Sequence, residues 1–267
     1  VIEASAEAAR LRGAYTVRQI VAAPSSQDPA FTLDDAYAVE AAIVEARRAD
    51  GHQPVGWKVG YANKAMWRAL KLETLVWAHM YDDTVHYADW NDAKLSIASM
   101  VAPKIEPEIV FRLAKTPEST DAAAVLEATE WMALGFEIID CVFPDWKFQP
   151  ADFVASAGLH AALVVGEPVF IEPETIAQRA TELADFTVRL LKNGELVEEG
   201  AGKNALKSPA LCVGELGEAL KRRGAALQAG DIITTGTLTT SLPIAAGETW
   251  IASLSGIPPS ALTLRLI

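Results

Sequence analysis

Three glutamates, Glu106, Glu108 and Glu137, are the residues of this chain whose type and spacing could do chemistry. In Pro103-Lys104-Ile105-Glu106-Pro107-Glu108-Ile109-Val110-Phe111 the apolar Ile105, Pro107, Ile109 and Phe111 alternate. That is the period of a strand with one buried face, so Glu106 and Glu108 project side by side from the other. Carboxylates that close raise one another's pKa unless a cation holds them. A second apolar stretch, Leu134-Gly135-Phe136-Glu137-Ile138-Ile139, offers a third carboxylate with almost no polar company, an expensive place for a charge that nothing binds. Three acidic oxygen donors without a neighbouring His or Cys pair suit a hard dication such as Mg²⁺ or Mn²⁺. On spacing alone, the alternating pair also describes the solvent face of an amphipathic strand. Glu137 and Pro107 weigh against that, Pro107 because it cannot donate to a sheet ladder and so predicts a bulge or a sheet rim.

Other chemistries find little support. No G-x-S-x-G presents a serine nucleophile, no G-x-G-x-x-G opens a helix, and Gly200-Ala201-Gly202-Lys203-Asn204 lacks the spacing and hydroxyl of a phosphate loop. His52, His79, His86 and His160 are scattered, and His160 is the one close to an interesting segment. Cys141 and Cys212 stand far apart without a C-x-x-C pair, which indicates neither a disulfide framework nor a zinc site and fits a reducing compartment. With a formal charge of -12 the chain has no basic stripe with which to release counterions from nucleic acid. No run approaches the ~18 apolar residues of a membrane span, and Glu3 through Arg18 mix charges with alanine instead of forming a basic and then apolar leader. The expectation is a cytoplasmic protein that binds neither nucleic acid nor membrane.

The elements that must position the glutamates are legible in outline. At 267 residues and 51% hydrophobic, the chain can bury a full core. Residues 2 to 23 carry Leu11, Tyr15, Ile20 and Val21 at roughly helical spacing, with Pro24-Ser25-Ser26 ending the element. Thr32 and Asp35 make a capping-box-like start for a second helix that runs to Gly51. Residues 53 to 61 read as a strand and 63 to 71 as a short helix. From about residue 95 strands alternate with Gly and Pro, with helices expected at 121–132, 173–183 and 209–223. Asn193-Gly194 between two apolar runs is a hairpin signal, and residues 231–237, 249–252 and 261–266 supply further strands. The sum is an α+β protein whose lobes pack as one unit.

Four motifs, in order, also resemble a family. Val55-Gly56-Trp57-Lys58-Val59-Gly60 with Asn63-Lys64-Ala65-Met66, then Pro103-Lys104-Ile105-Glu106-Pro107-Glu108, Leu134-Gly135-Phe136-Glu137-Ile138, and Gly230-Asp231-Ile232-Ile233-Thr234-Thr235-Gly236-Thr237 are similar to those of the 2-keto-4-pentenoate hydratase and 4-oxalocrotonate decarboxylase group of the fumarylacetoacetate hydrolase superfamily. The resemblance covers the chain from about residue 10. It implies a mixed β-roll body over residues 91–267, a helical N-terminal lobe over residues 1–90, and a homo-oligomer. It further implies that Glu106, Glu108 and Glu137 hold Mg²⁺ or Mn²⁺, that Lys58 moves protons, and that Thr237, Ser156, His160 and Lys104 meet the substrate, Thr237 as a donor to its carboxylate. The implied substrate is a 2-hydroxydienoate or 2-oxo acid, and the implied reaction passes through an enolate whose charge the dication offsets. A lysine beside a dication should have a lowered pKa. Hydration comes first, with decarboxylation, C–C hydrolysis of acylpyruvate-like acids and silent binding of a 2-oxo acid as alternatives. Two segments depart from the group's pattern. Lys71-Leu72-Glu73-Thr74-Leu75-Val76-Trp77-Ala78 replaces an acidic, proline-containing turn, and Val154-Ala155-Ser156-Ala157-Gly158-Leu159-His160 replaces a D-N-A-S segment. Val76 and Trp77 would then suit a larger or less polar substrate tail.

Overall fold

A computed structural model describes residues 2–258 and 261–267. In chain order the elements are α1 (Ala4–Val17), α2 (Pro24–Gln27), α3 (Leu33–Ala49), β1 (Pro54–Gly60), α4 (Lys64–Leu70), β2 (Val76–Tyr81), β3 (Val85–Tyr87), β4 (Asp92–Leu95) and β5 (Lys104–Leu113). There follow α5 (Ala122–Glu127), β6 (Thr129–Ile139), α6 (Pro150–Ala155), β7 (His160–Val165), β8 (Val169–Phe170), α7 (Ile176–Asp185), β9 (Thr187–Lys192) and β10 (Glu195–Ala201). The last are α8 (Pro209–Lys221), β11 (Ile232–Thr234), β12 (Leu242–Pro243), β13 (Thr249–Ser255) and β14 (Ala261–Leu266).

One sheet runs β2-β1-β11-β5-β6-β7-β3, with β12 also on β5 and β8 on β6; a second runs β10-β9-β13-β14-β4. The three-residue connection from Tyr81 to Val85 joins one edge strand of the first sheet, β2, to the other, β3, and can span only about 14 Å. The sheet must therefore curl until its edges face each other. Its concave face packs a small core of Met80, Val110, Trp131, Ala133, Leu163, Val165 and Ile232, separate from the main core on the outside. Gly56 is required where β1 meets β11, since a Cβ there would lie 1.8 Å from the Ile232 carbonyl oxygen.

The α+β reading and the curled body hold. The strands of residues 54–87 pair within the same sheet as those of residues 104–165, so residue 90 marks no boundary in that sheet, and the helices of the N-terminal segment are those of residues 4–49 and the short α4. The capping box at Thr32 is present, and Asn193 and Gly194, both left-handed at φ 51° and 86°, close the β9–β10 hairpin. The first helix ends earlier than its pattern predicts, with Arg18 left-handed at φ 56°, and Pro24 opens a new helical turn instead of closing the old one. The helix expected to reach Met132 stops at Glu127, and Thr129 begins an eleven-residue strand. That strand is buried on both faces, so it shows no alternation to read.

Candidate active site

The third carboxylate is brought to the other two by strand register. β5 and β6 pair antiparallel with Glu106 opposite Glu137 and Glu108 opposite Gly135. Residues directly opposite point to the same face, so all three glutamates project onto the concave side, beside Val110 and the inner core. Gly135 leaves that face clear across from Glu108; a Cβ there would meet Val110 at 2.6 Å. Carboxylate oxygens of the three lie within 4.8 Å of one another.

Pro107 sits neither at a bulge nor at a rim. The β5–β6 register runs through it without a shift, and β5 is an interior strand. Its carbonyl accepts from Leu238 N at 2.9 Å, so its nitrogen also faces residues 235–241. There the pairing lapses, with β11 matching residues 110–112 and β12 matching residues 104–105. The missing N–H thus costs no ladder bond with β6, and the segment 235–241 runs through the gap. Gly236 N donates to Glu108 Oε2 at 2.7 Å and Thr235 Oγ1 to the Ile109 carbonyl at 2.8 Å.

Lys58 reaches the cluster from β1. Its side chain is 2% exposed, and its Nζ lies 3.1 Å from Glu137 Oε2. His160, at the start of β7, places Nδ1 2.9 Å from Glu137 Oε1 and Nε2 2.9 Å from Thr84 Oγ1. Glu108 Oε1 is buried without a hydrogen-bond partner, and Glu137 Oε2 has only the Lys58 ammonium at 3.1 Å. Orphaned carboxylate oxygens of that kind are expensive unless a cation takes their lone pairs. The donor set therefore fits a hard dication: oxygen ligands only, crowded charge, and coordination left open toward a cavity.

Charge crowding is visible in the titration of the group. Burial, followed by Glu137 and Glu106, pushes the Glu108 carboxyl well above the usual range. Burial likewise pushes Glu106 up to about 7, against the pull of Lys58; because Glu106 keeps some contact with the cavity, water screens it more than the fully enclosed Glu108. Glu137 goes the other way, since Lys58 and His160 together outweigh the cost of its burial. Lys58 is raised: burial opposes its charge, but Glu137, Glu106 and Glu108 outweigh it. Three carboxylates surround one ammonium, so the protein's own groups push Lys58 in the direction opposite to that in which a dication would push it.

The cluster opens into a cavity of about 740 Å³ whose lining includes Lys58, Lys104, Glu106, Thr237, Asn204 and an apolar wall of Met66, Trp146, Phe148 and Phe153. Lys104 lies over the Trp146 ring at 4.0 Å. The Thr237 hydroxyl donates to the Thr239 carbonyl at 2.9 Å, so its proton is engaged within its own loop. Ser156 and His160 do not line this cavity. They face a second one of about 410 Å³ beneath α1 and α3, where Ser156 Oγ meets Tyr15 Oη at 2.9 Å. The structure thus puts both residues on the lining of the second cavity and not of the one beside the carboxylates. Val76 and Trp77 likewise do not line the cavity beside the carboxylates. Both are buried, and Trp77 packs against Tyr37 at 4.5 Å.

Several contributors were hidden in the sequence. Asp140 accepts from Val101 N at 2.9 Å and Ala102 N at 2.7 Å, tying the approach to β5 to the end of β6. Trp146 and Phe148 reach the cavity from an irregular stretch where no periodicity assigns a face. Gly158 was the readable one, as the lone glycine of a segment that departs from the expected pattern.

The chain belongs to the fumarylacetoacetate hydrolase family, whose model, described as fumarylacetoacetate (FAA) hydrolase C-terminal, matches residues 57–265. More particularly, it is 29% identical over 250 residues to a 2-hydroxyhexa-2,4-dienoate hydratase of Comamonas testosteroni, covering 93% of this chain and 92% of that one. It is 29% identical over 237 residues to a 4-oxalocrotonate decarboxylase of Pseudomonas sp. (strain CF600), covering 86% and 84%. Among solved structures, 4-oxalocrotonate decarboxylase from Pseudomonas putida G7, complexed with magnesium and adipate, matches with a TM-score of 0.88 and 26% identity over 99% of this chain and 97% of that one.

Proposed function

We propose that this protein is a divalent-metal-dependent lyase acting on a 2-hydroxydienoate or 2-oxo acid, of the 2-keto-4-pentenoate hydratase type, with Glu106, Glu108 and Glu137 holding Mg²⁺ or Mn²⁺. The observation that carries it is the convergence of those three carboxylates, from two strands, beside a cavity lined by Glu106 and by a buried lysine. A dication bound there would supply Lewis-acid stabilisation of the negative charge that develops on the substrate's 2-oxygen. Lys58, held as an ammonium by the surrounding carboxylates, is placed to give a proton to the dienol carbon chain and to take one back. Lys104 stands at the cavity wall as a partner for a substrate carboxylate, and the Thr237 loop closes the side opposite β6. Trp146, Phe148 and Phe153 exclude water from the tail end.

Decarboxylation of a vinylogous 2-oxo diacid is the second reading, favoured by the close structural match to a decarboxylase. The cavity lining tilts the balance toward hydration of a monoacid. Lys58 and Lys104 are the only cations among the described residues that line it, and Lys58 is already engaged with Glu137. A second carboxylate at the aromatic end would have no arginine to meet it. Loss of dienol ultraviolet absorbance on adding protein and Mg²⁺, abolished by a chelator, is the expected result. Release of CO₂ from a 2-oxo diacid would favour the decarboxylase, and binding without turnover across both panels would refute the lyase reading. Support for a homo-oligomer comes from the family resemblance. Two buried free cysteines, Cys141 and Cys212, support a reducing, cytoplasmic setting. Among the described residues no helix is long and apolar enough to cross a membrane.

A further inference from the structure

Residues 156–160 separate the two cavities, and their backbone is unusual. Ala157, Gly158 and Leu159 are all left-handed, at φ 49°, 65° and 58°, a conformation that Ala and Leu adopt only when their surroundings impose it. The surroundings are explicit. Asp140 N donates to the Leu159 carbonyl at 2.8 Å and Leu159 N to the Ser156 carbonyl at 2.9 Å. Tyr15 Oη meets Ser156 Oγ and the Asp140 carbonyl, both at 2.9 Å.

Each side of this turn touches one member of the Lys58–Glu137 couple. On one side, a Cβ on Gly158 would fall 2.6 Å from Lys58 Cδ and 3.0 Å from Cγ, so the lysine stem lies directly on the bare glycine. The stem has no slack, since Lys58 Nζ also lies 4.9 Å from the Phe153 ring centroid. On the other side, His160 leaves the turn with a side chain 2% exposed and meets Glu137 through Nδ1, while Thr84 holds Nε2. Ring orientation is thereby fixed at both nitrogens, as is typical of groups that orient metal-ligating side chains.

We propose that the turn Ala157-Gly158-Leu159, with His160 at its exit, is a clamp that positions the Lys58–Glu137 couple, His160 by aiming the Glu137 carboxylate and Gly158 by seating the Lys58 stem. His160 and Gly158 are positioning residues, because neither lines the cavity beneath the carboxylates. The inference rests on the metal-site reading, and the test separates the two. Mn²⁺ affinity of the metal-free protein, read by electron paramagnetic resonance of free Mn²⁺, is compared for wild type, Glu137→Gln, His160→Leu, His160→Asn and His160→Gln. Asparagine can place its amide where Nδ1 stands, and glutamine places its amide nearer Nε2. His160→Leu and His160→Gln should each bind about 10–100-fold more weakly, whereas His160→Asn should stay within about threefold of wild type. A fold that merely needed a filled space would not rank the two amides in that order. In parallel, Gly158→Ala should lose about a hundredfold in kcat through displacement of Lys58 while binding Mn²⁺ at least as tightly as wild type. If wild type and Glu137→Gln bind Mn²⁺ alike, the metal reading falls and the clamp with it. If Glu137→Gln weakens binding but His160→Asn is no better than His160→Gln, or Gly158→Ala keeps full kcat, the clamp alone is overturned.

Discussion

Loading the metal-free protein with Mn²⁺ near neutral pH should expel protons, and the number follows from the charge crowding at the three carboxylates. Ligation requires all three to be ionised. Burial and its two neighbours raise Glu108 well above the usual carboxylate range, and burial raises Glu106 to about 7. At pH 6.5 Glu106 alone should release about three-quarters of a proton, and Glu108, raised in the same direction, adds to that count. At pH 8 the share released from Glu106 should fall to about a tenth of a proton. Glu137, held low by Lys58 and His160, contributes none. The apparent Mn²⁺ affinity should accordingly tighten by about fivefold or more between pH 6 and 7, the fivefold coming from Glu106. Isothermal titration calorimetry in buffers of different ionisation enthalpy reads the proton count directly. Stability should follow the same linkage. A carboxyl whose folded pKa lies above its unfolded value stabilises the fold fully below the unfolded value and loses that contribution as pH rises through the folded one. The metal-free melting temperature should thus decline from about pH 5 toward pH 8, and saturating Mn²⁺ should abolish the decline. A proton count of zero across pH 6–8 would mean that the carboxylates are already ionised and uncrowded, and would refute the reasoning.

Three further outcomes follow from the geometry. Lys58→Met should lower kcat by about 10²–10⁴-fold without weakening Mn²⁺ binding; unchanged turnover in a dienol absorbance assay would remove Lys58 from proton transfer. Trp146→Ala should raise KM for substrates with bulky apolar tails more than for the shortest 2-hydroxydienoate, read by profiling a homologous series, since this ring forms part of the tail wall. Gly56→Ala should destabilise the protein by about 2–3 kcal/mol or more in urea unfolding, because its Cβ would collide with the Ile232 carbonyl where β1 and β11 run parallel.

The pairing of Glu106 and Glu108 was legible because apolar residues alternate with them from Ile105 to Ile109. The third ligand was legible by anomaly, a carboxylate set among Phe136, Ile138 and Ile139. What the sequence could not state was register. Glu106 opposite Glu137 is a long-range pairing, and a slip of one residue would have turned Glu137 to the outer face. The cavity that His160 faces was hidden for a related reason. That residue's position in the chain announces a polar group near the site but not which side of the sheet it approaches from. The apolar wall was assigned to Val76 and Trp77 because they replace an expected acidic turn, yet both are consumed by the core. The wall comes instead from residues 146–153, where short helical turns and left-handed residues follow no period.

Pro107 bears on how the protein keeps this centre reachable. Backbone amides left facing each other across an antiparallel gap tend to zip together, and β11 and β12 lie on the same flank of β5, ready to be joined into one continuous strand. A residue with no hydrogen to offer at the midpoint denies that zipper its central tooth. Any replacement that restores an amide there would supply a donor in need of a partner, and would favour a straighter, better-bonded sheet whose extra order pulls Gly236 away from Glu108.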